Sequence, residues 1–189
     1  MRCPYCQSPV MKQATECPVC HLTFPRTNLL VGSVPRLNPS IADTTGHLNS
    51  KHFLKIKKRV INIENRFPQL VLQVVMHQFV EAHPFAMHAF WLLNAGQFAG
   101  SAHRGKDNHT LLFVIDPFRK ESAIALGYGL EQYMKDEALN HLLDLAAPSW
   151  KRGLWEQGIL IVLDGLDAWL ESIAVRESAM TRTGSEDWF

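Results

Sequence analysis

The chain has 189 residues, of which 47% are hydrophobic and 20% are charged. This composition is typical of a globular protein with one ordinary domain and a buried core. The longest apolar runs, such as Ile159–Leu163, are far shorter than the roughly 20 residues needed to cross a bilayer. No basic and apolar signal sequence opens the chain. We therefore expect a cytoplasmic protein without a transmembrane segment.

A formal net charge of +1 hides an uneven distribution of charge along the chain. Residues 1–60 contain nine lysines and arginines against two acidic residues, whereas residues 61–189 contain ten basic and sixteen acidic residues. A basic arm beside an acidic body favours nucleic acid, anionic lipid or an acidic protein as a partner, and Lys51–Arg59 is its most basic stretch. A solvated linker and helix face would give the same pattern.

All four cysteines lie in the first twenty residues, as two Cys-Pro-X-Cys pairs. Two residues between the thiols let each pair close a tight turn, and two such turns supply the tetrahedron of a zinc site. Two disulfides or a redox dithiol are disfavoured, because no signal peptide or βαβ pattern accompanies the pairs. We predict a zinc ribbon over residues 1–24, with structural Zn²⁺ bound by Cys3, Cys6, Cys17 and Cys20.

Proline, glycine, serine and threonine dominate residues 25–47, and this composition predicts an extended linker. Apolar residues at helical spacing then predict a helix from about Leu48 to Phe67, which Pro68 ends. Short apolar or β-branched runs predict strands over residues 70–76, 111–115 and 121–126. Further helices are expected from Pro84, over residues 136–145 before Pro148, and over residues 151–174.

The order α-β-α-β-β-α-α, with strands that lack clean alternation, predicts a three-layer α/β/α sandwich with a mostly buried sheet. This α/β domain is expected to span residues 48–175. Residues 176–189 are predicted to form a flexible tail, and its apolar end, Trp188-Phe189, is either a docking peptide or a frayed terminus.

A recognisable pattern runs from Leu111 to Glu131: a buried strand, a turn with acidic and basic residues, a short strand, and the sequence Gly-Tyr-Gly-Leu-Glu at residues 127–131. This pattern, followed by an acid five residues on, resembles the TPM domain family. That family includes thylakoid lumen proteins of photosystem II repair and many bacterial envelope proteins. The resemblance covers about residues 48–173.

Three acidic residues flank this pattern, and their convergence would make an oxygen-rich site for Ca²⁺ or Mg²⁺. They are Asp107, Glu131 and Asp136. The resemblance implies the same, since some TPM domains bind divalent cations near these loops. Ordinary roles are also open: Asp136 as a helix cap, Glu131 as a partner of Lys135, and Asp107 as a solvated loop residue. The family usually has Asn-Gly before the middle strand, where this chain has Asn108-His109.

Three functions follow from these features. The first is a non-catalytic adaptor that assists assembly or repair of a partner complex, because the chain has no nucleophile elbow, P-loop or informative His/Asp pair. The second, implied by the phosphatase activity of some plant TPM proteins, is cation-dependent phosphate-ester hydrolysis, with Arg119 or Lys120 contacting the phosphate. The third is nucleic-acid binding through the ribbon and Lys51–Arg59.

Overall fold

A computed structural model of the chain describes residues 2–11, 13–33, 37–96 and 109–183. In these ranges the chain forms six helices and four strands. In chain order they are α1 (Phe24–Val31), β1 (Ile41–Asp43), α2 (Ser50–Arg66), β2 (Val71–Met76), α3 (Phe85–Ala95), β3 (Thr110–Asp116), β4 (Glu121–Leu126), α4 (Tyr128–Glu131), α5 (Asp136–Lys151) and α6 (Trp155–Thr183).

The four strands form one mixed sheet in the order β1-β2-β3-β4. β1, β2 and β3 are parallel, with Val74 opposite Phe113, whereas β4 runs antiparallel to β3 and places Ile124 opposite Phe113. All of β2 and almost all of β3 are buried. Burial on both faces explains why their sequences are continuously apolar instead of alternating.

Helices cover both faces of the sheet, which confirms the predicted three-layer α/β fold. On one face, side chains such as Leu72 and Phe113 pack with residues of α2, α5 and α6, including Ile56 and Leu163. On the other face, Leu112 and neighbouring side chains pack against α3. The sheet thus has a separate apolar core on each side.

Residues 25–47, for which the composition predicts an extended linker, contain most of α1 and all of β1. The Thr23 hydroxyl accepts a hydrogen bond from the Arg26 amide and caps α1, and Pro25 lies in the first turn. Ile41 is fully buried, and β1 extends the sheet by pairing with β2. Proline and threonine, which suggest a linker when read as composition, are also the residues that begin helices.

Pro148 lies inside α5 and does not interrupt it, contrary to the sequence prediction. Proline removes the hydrogen bond to the carbonyl four residues earlier, and that residue, Asp144, is exposed to water. A tight turn at Gly153, with φ of 73°, then reverses the chain into α6. A Cβ on Gly158 of α6 would lie 1.9 Å from Trp150 Nε1 of α5. Glycine at this position therefore permits close packing of the two helices.

Candidate functional site

The first cysteine pair forms a knuckle stabilised by its own backbone. The Gln7 amide donates to the Cys3 carbonyl at 2.9 Å, and the Cys3 amide donates to the Ser8 carbonyl at 2.9 Å. Gln7 has φ of 61°, which turns the chain back so that Arg2 and Pro9 form an antiparallel bridge. The turn holds Cys3 and Cys6 on one side of the loop.

The second pair repeats this geometry fourteen residues later. The His21 amide donates to the Cys17 carbonyl and the Cys17 amide donates to the Leu22 carbonyl, both at 3.0 Å. His21 has φ of 57°, and Glu16 bridges Thr23. The His21 ring lies with the Glu16 carboxylate on the surface. The two knuckles are therefore copies of one backbone motif.

The four thiols converge to ligand distance. The Sγ atoms of Cys3 and Cys20 are 3.6 Å apart, as are those of Cys6 and Cys17, and all four ligand atoms lie within 4.8 Å of one another. Bonds of about 2.3 Å from a tetrahedral metal ion would place the sulfurs about 3.8 Å apart. A disulfide would need about 2.05 Å, and all four cysteines are free. The cluster thus fits a four-thiolate metal ion.

The local environment shifts the thiol pKa values in opposite directions. Hydrogen bonds from Ser8 lower the pKa of Cys6 to about 6, and the backbone amides of Cys20 and Val19 lower the pKa of Cys17. Burial raises the pKa of Cys3 and raises that of Cys20 to about 12. Each knuckle therefore contributes one readily ionised thiol, and a bound cation would favour ionisation of the other two.

The cysteine cluster is packed against the α/β domain. Cys3, Cys17 and Leu22 share a buried cluster with Met87 of α3, which is fully buried. Next to this cluster, the Trp91 indole of α3 donates to the Asn28 side chain of α1 at 2.9 Å. The ribbon is therefore docked on the outer side of α3.

The predicted carboxylate site is only partly within the described residues. Asp107 lies outside them. Glu131 is half-buried at the end of α4, and Asp136 is exposed as the first residue of α5. The N-cap of α5 is Lys135, without a side-chain cap hydrogen bond, so the structure contradicts the capping role considered for Asp136. Within the part of the chain that the structure describes, the cysteines are the one group of three or more candidate ligands at metal-binding distance.

The two basic residues considered for phosphate binding lie far from these carboxylates. Arg119 and Lys120 precede β4, whereas Glu131 and Asp136 follow it, so the length of the strand, about 20 Å for six residues, separates them. Arg119 donates to the carbonyls of Val80 and His83 and pairs with Glu121 at 2.8 Å. Lys120 is exposed at the turn. Arg119 therefore fixes the loop before α3.

The basic stretch Lys51–Arg59 lies on α2, where two of its cations contact acidic residues of α6. Lys55 pairs with Glu156 at 2.6 Å, and Arg59 contacts Asp164 at 2.7 Å and Asp167 at 2.9 Å. Lys51, Lys57 and Lys58 are exposed. Part of the charge asymmetry is thus neutralised inside the fold.

A buried and a half-buried aspartate organise the loops that follow two of the parallel strands, and the sequence alone assigned them no role. Asp116 is fully buried and accepts hydrogen bonds from the amides of Phe79 and Phe118. The Asp43 carboxylate likewise accepts hydrogen bonds from the amides of Thr45, Gly46 and Leu48. An aspartate at a strand end, followed by threonine, glycine or proline, is the signal that would have identified both.

Three adjoining cavities connect the ribbon with β4. The first cavity, of about 570 Å³, lies between α3, β4 and α5. The second, of about 100 Å³, adjoins the first and is lined by Tyr128. The third, of about 370 Å³, reaches Cys3 and Cys17. Phe90 lines all three. We call the three cavities together the edge groove. No local sequence pattern indicates this groove, because its walls come from elements that are distant in the chain.

The mixed sheet, its two helical layers and the docked cysteine cluster define the class: an α/β domain carrying an N-terminal segment whose four cysteines lie at metal-binding distance. A sequence profile of the TPM domain matches residues 41–168, and the chain belongs to this family. A comparison with curated proteins gave no match. No helix of the described residues combines the length and apolar character needed to span a membrane.

Solved structures share the fold at low sequence identity. The N-terminal domain of a Porphyromonas gingivalis protein ("P.gingivalis") is 21% identical, with a TM-score of 0.52, over 77% of this chain and 90% of its own. The N-terminal domain of a Corynebacterium glutamicum protein is 16% identical, with a TM-score of 0.52, over 73% and 84%. The BA42 protein of Bizionia argentinensis is 13% identical, with a TM-score of 0.57, over 69% and 86%. At these identities the likeness establishes the fold alone.

Proposed function

We propose that this protein is a non-catalytic adaptor, in which Zn²⁺ holds the ribbon against the TPM domain to form one binding surface. The observation that carries the proposal is the shared buried cluster of Cys3, Cys17, Leu22 and Met87. A ribbon docked in this way has a fixed position relative to the sheet. A fixed position lets the two parts contact one partner together, at a lower ordering cost than two freely linked modules.

Zinc is the metal that we assign to the thiolates. Four soft sulfur ligands near a tetrahedral arrangement are typical of Zn²⁺ or an iron–sulfur centre, and paired Cys-Pro-X-Cys knuckles favour structural zinc. Thiolates kept reduced for metal binding fit the cytoplasm, where we propose that the protein acts in assembly or repair of a partner complex.

Binding is favoured over phosphate-ester hydrolysis by the positions of the charged residues. A metal-assisted phosphatase needs its cation and its phosphate-binding cation within contact of one phosphoryl group. Here Arg119 and Lys120 are separated from Glu131 and Asp136 by the length of β4. Arg119 is also engaged with two backbone carbonyls and Glu121.

Affinity purification from the source cell tests the adaptor function. Tagged wild type should retain at least one protein, quantified by mass spectrometry, that the double variant Cys3→Ser/Cys6→Ser loses. A Met11→Ser variant, altered at an exposed ribbon residue outside the metal ligands, is the control and should retain it.

The competing function is tested on the same preparations. Phosphatase activity is measured with Mg²⁺, Mn²⁺ and Ca²⁺ for the wild type and for Glu131→Gln/Asp136→Asn. Cation-dependent turnover that this double variant abolishes would contradict a non-catalytic adaptor, as would the absence of any partner that depends on the cysteines.

A further inference from the structure

One side of β4 has unpaired backbone groups. The Gly127 amide donates to the Thr110 carbonyl at 2.7 Å, so this opposing pair is of the hydrogen-bonded kind. Such pairs alternate along an antiparallel ladder, and the register then directs the backbone of Ala123 and Ala125 toward β3. Ser122, Ile124 and Leu126 direct their N–H and C=O groups outward. Within the described residues, no backbone hydrogen bond reaches these three from that side.

The edge groove lies along this unpaired side. Its largest cavity, about 570 Å³, is bounded by the edge of β4, by Phe90 and Leu93 of α3 and by Met134 and Leu139 near the start of α5. Arg2, Pro4 and Gln7 of the ribbon also line it. Ala123 and Ala125 face α3, and their small side chains fill little of the space between the strand and this helix. An exposed strand edge flanked by two apolar walls has the shape that β-augmentation requires, because backbone groups supply the hydrogen bonds and the walls receive alternate side chains.

The walls and the charges of the groove define its occupant. Successive side chains of an added strand point to opposite faces, so one would contact Phe90 or Leu93 and the next Met134 or Leu139. This cavity is lined by the acidic residues Glu131, Asp136 and Glu137 and by the basic residues Arg2 and Lys135. Asp136 and Glu137 are exposed at its α5 end, whereas Arg2 lies on its ribbon side. An extended segment with apolar side chains would match the two walls, and a lysine or arginine at its α5 end would match the carboxylates of Asp136 and Glu137.

A second copy of the chain fits this edge poorly. β4 lies on the floor of the groove between α3 and α5, and the β4 of another copy is recessed in the same way. Two recessed edges do not approach to the roughly 4.8 Å that strand pairing needs. A single extended segment, by contrast, enters between the two walls.

We propose that the edge groove binds an extended apolar peptide with a basic residue at one end, which adds to β4 as a fifth strand. This proposal rests on the adaptor function and assigns the place where the partner binds. The groove continues past Tyr128 to the cavity beside Cys3 and Cys17, so a longer partner segment would also contact the ribbon.

Titration of the ¹⁵N-labelled, zinc-loaded full chain tests the proposal. The probe is a capped heptapeptide of one lysine followed by alternating valine and threonine. Binding should shift the amide resonances of Ser122, Ile124 and Leu126 and slow their hydrogen exchange. The matched peptide, N-methylated at alternate residues so that it loses the donors facing β4, should leave these resonances unchanged.

Two protein variants sharpen the result. Ser122→Pro removes one outward N–H while keeping the β3–β4 ladder, since proline is tolerated at a strand edge, and should weaken binding about fivefold, as for the loss of one hydrogen bond. Asp136→Asn/Glu137→Gln should weaken binding of the lysine peptide but not of the same peptide with alanine in place of lysine. Proton spectra establish that each variant is folded.

Four outcomes would overturn the proposal: no binding at millimolar peptide, equal binding of the N-methylated peptide, shifts confined to residues away from β4, or a dimer in light scattering whose β4 amides are protected without peptide. The adaptor function is judged separately. If wild type retains in the source cell a partner that Cys3→Ser/Cys6→Ser loses, while the peptide leaves the β4 amides unchanged, the adaptor stands and the groove assignment is wrong.

Discussion

The ribbon and the sheet domain of this protein are stabilised in different ways. Of the ribbon's own residues, the buried apolar cluster at its centre contains only Cys3, Cys17 and Leu22, and Met87 of α3 completes it. The sheet domain has an extensive core on one face and a second core under α3. A segment of about twenty residues cannot bury enough surface to offset its loss of conformational entropy, and a metal ion bound by the four thiols would supply the difference.

The largest effect should follow from removing the metal. Structural zinc has an apparent binding free energy of about 10–16 kcal/mol in zinc-finger peptides, far more than the ribbon can gain from burial. Chelation, or Cys3→Ser/Cys6→Ser, should therefore unfold residues 2–23 while the sheet stays folded. Heteronuclear NMR checks this: ribbon amides should collapse to random-coil positions and those of β3 should keep their dispersion. Loss of the β3 signals as well would show that the two regions fold as one unit.

A smaller effect is expected from the residue that joins the regions. Met87 is fully buried against the ribbon cluster, and Met87→Ala should lower the free energy of unfolding by about 2–5 kcal/mol. Part of this loss should destabilise the ribbon. The equilibrium constant for zinc transfer to a competing chelator should therefore rise about tenfold, which corresponds to about 1.4 kcal/mol.

Leu139→Ala is the matched control for Met87→Ala. Leu139 is buried in α5 on the opposite face of the sheet, so its truncation should destabilise the sheet domain and leave zinc transfer unchanged. Equal zinc affinities of Met87→Ala and wild type would mean that the ribbon does not depend on its contact with α3.

The smallest effect concerns pH and is confined to the sheet domain. His88 is fully buried, with Nε2 2.9 Å from the Val80 carbonyl and no partner for Nδ1 among the described residues. Burial lowers the pKa of His88, and Arg119 and His83 act in the same direction. The unfolded chain, with a histidine pKa near 6.5, therefore takes up the proton first as pH falls.

The contribution of His88 to stability is consequently present above about pH 6.5 and is lost as the pH falls through the lowered folded-state pKa. Denaturant unfolding between pH 7.5 and pH 5.5 (about one unit either side of the unfolded pKa) should show this slope in wild type. His88→Gln keeps a donor for Val80 without titrating and should flatten the slope. If the free energy of unfolding of His88→Gln changed with pH as steeply as that of wild type, the pH dependence would come from titratable groups other than His88.

The long elements could be read from the sequence because their patterns are local. The runs at residues 111–115 and 121–126 predict β3 and β4, and the helical spacing of Ile56, Val60 and Ile63 predicts α2. The two Cys-Pro-X-Cys pairs likewise determine their own turns. Each of these signals lies within one element, so no distant contact is needed to interpret it.

Elements that depend on distant partners were not predicted. β1 has three residues and exists because β2 pairs with it. α5 continues through Pro148, and the residue whose carbonyl loses its helical partner, Asp144, is exposed.

The sequence by itself determined the knuckles, the buried strands, the TPM family pattern and the charge excess of each half. Only the tertiary structure decided that α2 and α6 pair those charges and that Met87 joins the ribbon to the sheet. It also decided that no strand of the described residues pairs with the outer edge of β4. The physical reason is the range of the interactions: a turn or a periodic face is set by neighbours in sequence. A salt bridge between Arg59 and Asp167, or a groove between α3 and α5, is set by how the helices pack.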